Sequence, residues 1–323
     1  MGIFEKSVVG IEFDSTEIRA IHLKGTPGKP RLVTYGRMQL QEGAVKDGKV
    51  QSPWLLSEAI SNMWEKYGIK CRNVILGINN QDIIVRFAAF PKVPEDKIDN
   101  MIRFQSENYI PIPIEETELD YAVLGEDISV APLQLKVLLV AARKQMLFDY
   151  INAMNKARLN VIDIGVSMLS LERLIPISLK NVPLIIVNLS NDFGNIVISD
   201  GKKLGFARTF SYNTVVIEAI KNCKIDEKML ETFCEFIAGE IRSSVFYYQN
   251  QYPNVNIQEI AITGGLSRIN GFTQRLKENL EINVYSFDGL EGFDTNNSKN
   301  NTDLFFSADF AVCASLALRG LEE

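Results

Sequence analysis

The sequence has few of the residues that mark metalloenzymes and redox proteins. It contains one histidine, His22, and because a general base needs a partner within reach, His22 is interpreted as a strand residue rather than a catalyst. The cysteines are far apart and form no C-x-x-C pair, which predicts ordinary thiols rather than a metal or redox site. They are Cys71, Cys223, Cys234 and Cys313. We therefore predict no metal centre and no catalytic residue.

Long apolar runs and clusters of basic residues are also lacking. No apolar run approaches the ~20 residues that cross a bilayer, and the N-terminus lacks the basic and apolar regions of a signal peptide, so we expect a cytoplasmic protein. The net charge is −6, and lysine and arginine are scattered, which argues against a nucleic-acid partner. The chain does have length and apolar content, because 323 residues that are 46% hydrophobic predict a substantial core and two domains.

The segment 183–210 is typical of two strands that turn back on each other across a polar tip. Apolar runs at 184–189 and 196–198 flank the polar residues 190–195, which tolerate turns. Backbone N–H groups in a turn of this kind can point at an anion, so the unit is a candidate phosphate cradle. A core hairpin without a ligand explains the same residues.

The segment 8–23 has the same form, with its polar turn at Asp14, Ser15 and Thr16. Two strand–turn–strand units near the starts of the two halves predict an internal duplication. A third signal is the segment 259–272, where a strand enters Gly264 and Gly265 and a helix follows.

Together these segments resemble the actin-like ATPase fold, an α/β fold of the ribonuclease H-like type that actin, Hsp70 chaperones, sugar kinases and FtsA share. Within it the chain is most similar to the PilM family of type IV pilus assembly. The similarity rests on segments at 85–96, 106–121, 240–248 and 311–319 and spans nearly the whole chain.

The resemblance implies two duplicated halves that flank a cleft. We expect the first half at 1–182, with a small inserted α+β subdomain at about 85–158. The second half is expected at 183–323, with a shortened helical subdomain. Periodicity adds a helix that begins at Pro53 with Ser52 as its N-cap, further helices at 94–109, 144–157 and 214–251, and a polar loop at 294–303.

The resemblance also implies a nucleotide cleft, but its motifs depart from the family pattern. Where relatives have an Asp and a Gly, this chain has Glu12 and Asp14, so a carboxylate stands where a phosphate is expected. Two like charges ~4 Å apart cost on the order of 4 kcal/mol at an effective dielectric near 20. The cleft residues are predicted to be Glu12, Asp14, Ser15, Thr16, Asn188, Ser190, Gly264, Gly265 and Arg268.

Two further motifs differ in the same direction. Asn188 and Ser190 replace an Asp and a Gly, and Asn188 has no charge to hold a magnesium shell. The Glu-x-x-Lys letters at 218–221 lie too early in the chain to be the helical grip on ribose and base. Only Gly264–Arg268 is intact, with Arg268 where relatives stack a guanidinium on adenine. We therefore expect no cofactor, and ATP or ADP with magnesium is the alternative.

For partners, the resemblance implies the N-terminal cytoplasmic tail of a PilN-like inner-membrane protein, held between the core of the first half and the insertion. The chain would then lie at the inner face of the cell membrane through its partners, with other pilus proteins and self-association left open. The groove is predicted at Phe87, Phe90, Pro91, Arg103, Tyr109, Ile110 and Pro111. Packing of the insertion's own helix on its sheet explains the same residues, and we expect it for one of Phe87 and Phe90. The alternative function is an active actin-like ATPase that uses Glu12 as a magnesium ligand.

Overall fold

The structure, a computed structural model, describes most of the chain. The described residues are 5–127, 131–175, 179, 181–212, 226–287, 293–295 and 308–322. The strands are β1 (Lys6–Phe13), β2 (Glu17–Thr26), β3 (Lys29–Gln39), β4 (Val45–Lys46), β5 (Lys49–Val50), β6 (Asn73–Ile78), β7 (Ile84–Pro91), β8 (Thr117–Asp127), β9 (Gln134–Arg143), β10 (Asn160–Val166), β11 (Leu184–Leu189), β12 (Phe193–Ser199), β13 (Leu204–Ser211), β14 (Glu259–Thr263) and β15 (Asn283–Ser286). The helices are α1 (Pro53–Lys66), α2 (Glu95–Gln105), α3 (Lys144–Lys156), α4 (Ser167–Ser170), α5 (Glu227–Gln251), α6 (Phe272–Leu280) and α7 (Ala311–Glu322).

Two five-stranded sheets have the same strand arrangement, which confirms the predicted duplication. The first has the order β10-β6-β1-β2-β3, and the second, β15-β14-β11-β12-β13, repeats it. In each, the central strand is antiparallel to the strand that follows it and parallel to a strand from later in the chain. Ile11 pairs with Ala20 as Val187 pairs with Ile196, so the two segments that suggested the duplication are equivalent.

The insertion is a three-stranded antiparallel sheet of order β7-β9-β8 with its own small core. Phe90 and Leu139 of the sheet and Ile102 of α2 are fully buried in that core. By contrast, α3 packs on α1, and its buried residues Tyr150 and Met154 belong to the core of the first half. The insertion therefore ends at β9 rather than at about residue 158, because the apolar face of α3 is covered by the first half.

The last helix returns to the first half, although the sequence assigned all of 183–323 to the second. Almost every residue of α7 is buried, and α7 lies across β1 and β2. The approach is so close that a Cβ on Gly10 would lie 1.9 Å from the carbonyl oxygen of Cys313. The packing of an apolar helix, rather than its place in the chain, decides which half it belongs to.

Most of the remaining elements follow the sequence. Ser52 caps α1, since its Oγ accepts a hydrogen bond from the Leu55 N–H at 3.4 Å. The helix predicted at 214–251 is described from Glu227 to Gln251, and residues 213–225 lie outside the described part, as does most of the loop at 294–303. In the described part of the chain, no helix has the length and apolar character that a membrane span requires.

Candidate functional site

The turn after β1 is held by its own carboxylate. One oxygen of Asp14, Oδ1, accepts hydrogen bonds from the N–H of Thr16 at 2.8 Å, from the Thr16 hydroxyl at 2.5 Å and from the N–H of Glu17 at 3.1 Å. Backbone N–H groups that cradle a phosphate in an actin-like fold are thus partly used by a side chain of the protein. Asp14 thus closes the turn with hydrogen bonds to its own side chain.

A buried arginine lies among three carboxylates beside this turn. The Arg19 guanidinium is 2.9 Å from Asp14 Oδ2, 2.8 Å from Glu17 Oε1 and 3.6 Å from Glu12 Oε2. The four side chains are nearly inaccessible to solvent. Carboxylate oxygens are ligands that magnesium prefers, but a guanidinium already lies among these three. Sequence reasoning missed Arg19, although pairing the hairpin around the turn places Arg19 directly opposite Glu12.

The pKa values of Glu12 and Asp14 in this cluster shift in opposite directions. Burial raises the pKa of Glu12, and the Arg19 guanidinium opposes the rise only in part. Burial also acts to raise the pKa of Asp14, but Arg19 and the hydrogen bonds from Thr16 and Glu17 outweigh it and lower that pKa below its usual value. For Arg19, burial is outweighed by the neighbouring carboxylates, so its pKa is raised and it stays charged. Asp14 and Arg19 therefore form a buried ion pair.

The two hairpin turns bond to each other across the cleft. The N–H and hydroxyl of Ser15 donate to Asp192 Oδ2 at 2.8 and 2.7 Å. In return, Asn191 Nδ2 donates to Asp14 Oδ2 at 2.9 Å and to Thr16 Oγ1 at 3.0 Å. These are the turns that would hold phosphates from both sides in an actin-like ATPase, and here their polar groups satisfy one another. Asn191 and Asp192 were recognised in the sequence only as turn formers.

Asn188 belongs to a chain of side-chain amides that also joins the halves. Its Nδ2 donates to Asn195 Oδ1 at 3.1 Å. Asn195 and Asn79 exchange two amide hydrogen bonds of 3.1 and 3.0 Å, so a residue after β6 is tied to β12. Nearby, the Ser190 hydroxyl donates to the Phe193 carbonyl at 2.9 Å. Asn188 and Ser190 are thus engaged in hydrogen bonds within the protein.

The glycine motif after β14 keeps its geometry, but its arginine is engaged. Gly264 has φ +88°, and a Cβ there would lie 2.4 Å from the Leu189 carbonyl oxygen, so only glycine fits. Arg268 is half-exposed and donates to Asp309 Oδ2 at 2.9 Å. Arg37, from β3, donates to the same oxygen at 2.6 Å. Asp309 lies in the described segment just before α7, and no sequence pattern singled it out.

The predicted partner residues do not line one groove. Because side chains alternate along β7, Phe90 points into the insertion's own core, where Ile110 is also buried, while Phe87 faces the second half. Tyr109 lies partly exposed against Phe90, with ring centroids 5.4 Å apart. Arg103 pairs with Asp99 on the exposed surface of α2, and Pro91 and Pro111 are exposed. Phe90 and Ile110 are corrected to core residues.

A groove does lie between the core of the first half and the insertion. It is on the face of the insertion's sheet that points away from the insertion's own core. It has a volume of about 180 Å3. Its apolar walls come from both parts, and its rim carries charge. The walls include Ala122, Leu138, Val140, Ile164, Val166 and Leu169, and the rim includes Asp120, Arg173 and Arg319. We call this the insertion groove.

Comparison with known proteins gives a consistent result. Residues 10–217 and 218–321 match the family model described as type IV pilus assembly protein PilM. A structure titled "PilM-PilN type IV pilus biogenesis complex" is similar to the chain at a TM-score of 0.82 and 22% identity, covering 98% of this chain and 99% of that one.

Two more distant structures share the fold. The ethanolamine utilization protein EutJ from Carboxydothermus hydrogenoformans has a TM-score of 0.57 and 10% identity, covering 98% of this chain and 90% of its own. The cytoplasmic domain of EpsL, an inner membrane component of the type II secretion system of Vibrio cholerae, has a TM-score of 0.51 and 10% identity, with coverages of 97% and 95%. The chain therefore has the actin-like ATPase fold that its sequence predicted.

Proposed function

The chain belongs to the PilM family of type IV pilus assembly proteins, and from this we propose that it is an actin-like scaffold. The scaffold binds the cytoplasmic tail of a PilN-like protein and has no working nucleotide site. It would act in the cytoplasm, recruited to the inner face of the membrane by that partner. The observation that carries the proposal is the direct bonding of the two hairpin turns around the buried Arg19.

The residues present do not fit ATP with magnesium. A phosphate between the turns would have to break the hydrogen bonds from Ser15 to Asp192 and from Asn191 to Asp14, and it would meet carboxylates on both sides. A magnesium ion among Glu12, Asp14 and Glu17 would have to displace a buried guanidinium. Removing one partner of a buried ion pair costs about 3–5 kcal/mol, which opposes both changes.

The insertion groove is the site we propose for the tail. A relative of this fold was solved with PilN, which makes a PilN-like tail the natural candidate. The groove combines apolar walls with a rim of both signs, and such a combination fixes the direction of an extended peptide while burying its apolar side chains. We therefore propose contact residues on the face of the insertion that lines this groove, rather than at Tyr109 and Arg103 on the other side of the insertion.

The test is titration with a synthetic peptide of the cytoplasmic N-terminal tail of the PilN-like protein. Ala122 is exposed on the edge strand β8 and lines the groove, so Ala122→Arg fills the groove without removing a core contact. We expect micromolar binding by the unaltered chain, about −8 kcal/mol, and a loss of at least about tenfold in Ala122→Arg.

Ala89→Arg is the matched control, because Ala89 is exposed on the other edge strand of the same sheet. Its affinity should equal that of the unaltered chain. Equal binding by Ala122→Arg would reject the groove, and loss of binding in a Tyr109→Ala, Arg103→Glu double variant would move the site to the outer side of the insertion.

A further inference from the structure

A basic pocket lies where α1 and α3 end and β6 and β10 begin. It is open, with a volume of about 610 Å3. Lys70, Arg72, Lys156 and Arg158 line it together with one acid, Glu65, and we call these residues the basic pocket. The pocket is at the amino ends of β6 and β10, whereas the turn at Asp14 follows the carboxyl end of the parallel strand β1. It is therefore at the opposite end of the sheet from the cleft.

The charge of the pocket is not balanced by its surroundings. Within the described residues, none of the four cations takes part in an ion pair. The carbonyl ends of α1 and α3 contribute about −0.5 charge each, and Glu65 contributes one more negative charge. About two positive charges of the basic pocket therefore remain unbalanced, in a chain whose net charge is −6. Compensation of the helix ends accounts for only part of the cluster.

The backbone shows that one of these cations occupies a costly position. Both helices end in the same motif, in which a residue with left-handed backbone conformation is followed by a buried residue. The N–H of that buried residue donates a hydrogen bond to a carbonyl of the helix, at 2.9 Å for Ile69 and 3.0 Å for Leu159. In α1 the left-handed residue is Gly68, with φ 59°. In α3 it is Arg158, also with φ 59°. Glycine is the ordinary residue there, so the chain accepts strain to place a guanidinium in the pocket.

We propose that the basic pocket binds a multiply charged phosphate group. Its two guanidinium groups match the oxygen geometry of phosphate, and its two ammonium groups add charge without a fixed direction. A single carboxylate would leave about half of the excess charge unbalanced, whereas a phosphate ester or polyphosphate balances it. The phosphate comes either from a soluble compound or from a phospholipid headgroup. The inference is independent of the function proposed above.

Calorimetric titration with inorganic tripolyphosphate tests the site. In Arg158→Gly, affinity should fall at least tenfold while the melting temperature stays the same or rises, because glycine relieves the left-handed strain. That combination separates a ligand-binding residue from a structural one. In Lys70→Gln, Lys156→Gln the affinity should fall as well.

The matched control is Lys228→Gln, Lys277→Gln, which removes two exposed lysines of the second half and should leave affinity unchanged. Co-sedimentation with phosphatidylcholine vesicles, with and without phosphatidylglycerol, distinguishes the sources. Anionic-vesicle binding that tripolyphosphate and Arg158→Gly both abolish assigns the headgroup, and binding of tripolyphosphate alone assigns a soluble phosphate. Equal affinity of Arg158→Gly and the unaltered chain, or no binding of either probe, overturns the proposal.

Discussion

At the scale of single residues, Arg19 explains how the chain tolerates a carboxylate where relatives have glycine. Asp14 is buried, and burial alone would favour its neutral form, but the Arg19 guanidinium at 2.9 Å keeps it ionised. Glu12 lies farther from Arg19, at 3.6 Å, and its pKa is raised by burial. Ionised Asp14 therefore stabilises the folded state, whereas folding disfavours the ionised form of Glu12.

This asymmetry predicts a pH-dependent effect of Glu12→Gln. Because the folded-state pKa of Glu12 lies above its usual 4.5, the folded chain holds more protons than the unfolded chain between the two values, and stability falls as pH rises through that window. The amide that Glu12→Gln introduces cannot titrate. The free energy of unfolding of Glu12→Gln, relative to the unaltered chain, should therefore increase as pH rises above 4.5 and then level off.

Urea unfolding at a series of pH values measures the difference. Glu58→Gln, at an exposed position of α1, controls for loss of a carboxylate elsewhere. A constant difference between Glu12→Gln and the unaltered chain across the series would show that the pKa of Glu12 is not raised. Asp14 acts oppositely, since its contribution is present above its usual 3.8 and is lost as pH falls through its lowered value.

Among the elements, α7 approaches β1 so closely that it leaves no room for a side chain at Gly10. Gly10 lies in the middle of β1, where an apolar side chain would be usual, but the backbone of α7 occupies that space. The same strand ends at the turn that carries Asp14. The position of that turn therefore depends on a helix from the far end of the chain.

Gly10→Ala should destabilise the chain by about 3 kcal/mol, because its Cβ would overlap the Cys313 carbonyl and neither backbone can move without disturbing a sheet or a helix. Gly28→Ala is the matched control, since no atom lies within 4 Å of the Cβ position there. Thermal and urea unfolding should separate the two variants. Similar stability of both would mean that α7 does not pack on β1 as described.

Taken as one molecule, the chain has polar side chains that link its two halves directly across the cleft, in addition to a shared apolar core. Hydrogen bonds connect Ser15 to Asp192 and Asn79 to Asn195, and Asp309 receives both Arg37 and Arg268. An actin-like ATPase closes its halves around nucleotide, whereas these contacts link the halves directly. The scaffold proposal therefore predicts a chain whose stability does not depend on nucleotide.

Melting with and without 1 mM MgATP checks this prediction. A micromolar site would stabilise the chain by about 4 kcal/mol at that concentration, which is several degrees. Because ATP also carries phosphates that suit the basic pocket, the decisive measurement is on Arg158→Gly, where we expect no rise, together with no ATP hydrolysis above background. A rise that persists in Arg158→Gly would instead support the active ATPase.

The fold could be predicted from local patterns in the sequence, and the family from a resemblance. Matched apolar runs around polar turns predicted two equivalent sheets, since a buried strand needs little beyond its own residues to be recognised. The departures at Asp14 and Asn188 were likewise visible in single letters. The sign of a side chain's charge and the identity of turn residues are local properties, so they can be recognised in a sequence.

Which side chains contact each other could not be predicted from the sequence. The bonds from Ser15 to Asp192 and from Arg268 to Asp309 join residues far apart in the chain, and no periodicity specifies such pairs. Tertiary packing also assigned α3 and α7 to the first half, because their apolar faces are buried in its core. In the same way it assigned Phe90 and Ile110 to the insertion's core. Apolar residues near the insertion looked alike in sequence, and packing alone separated a core from a groove.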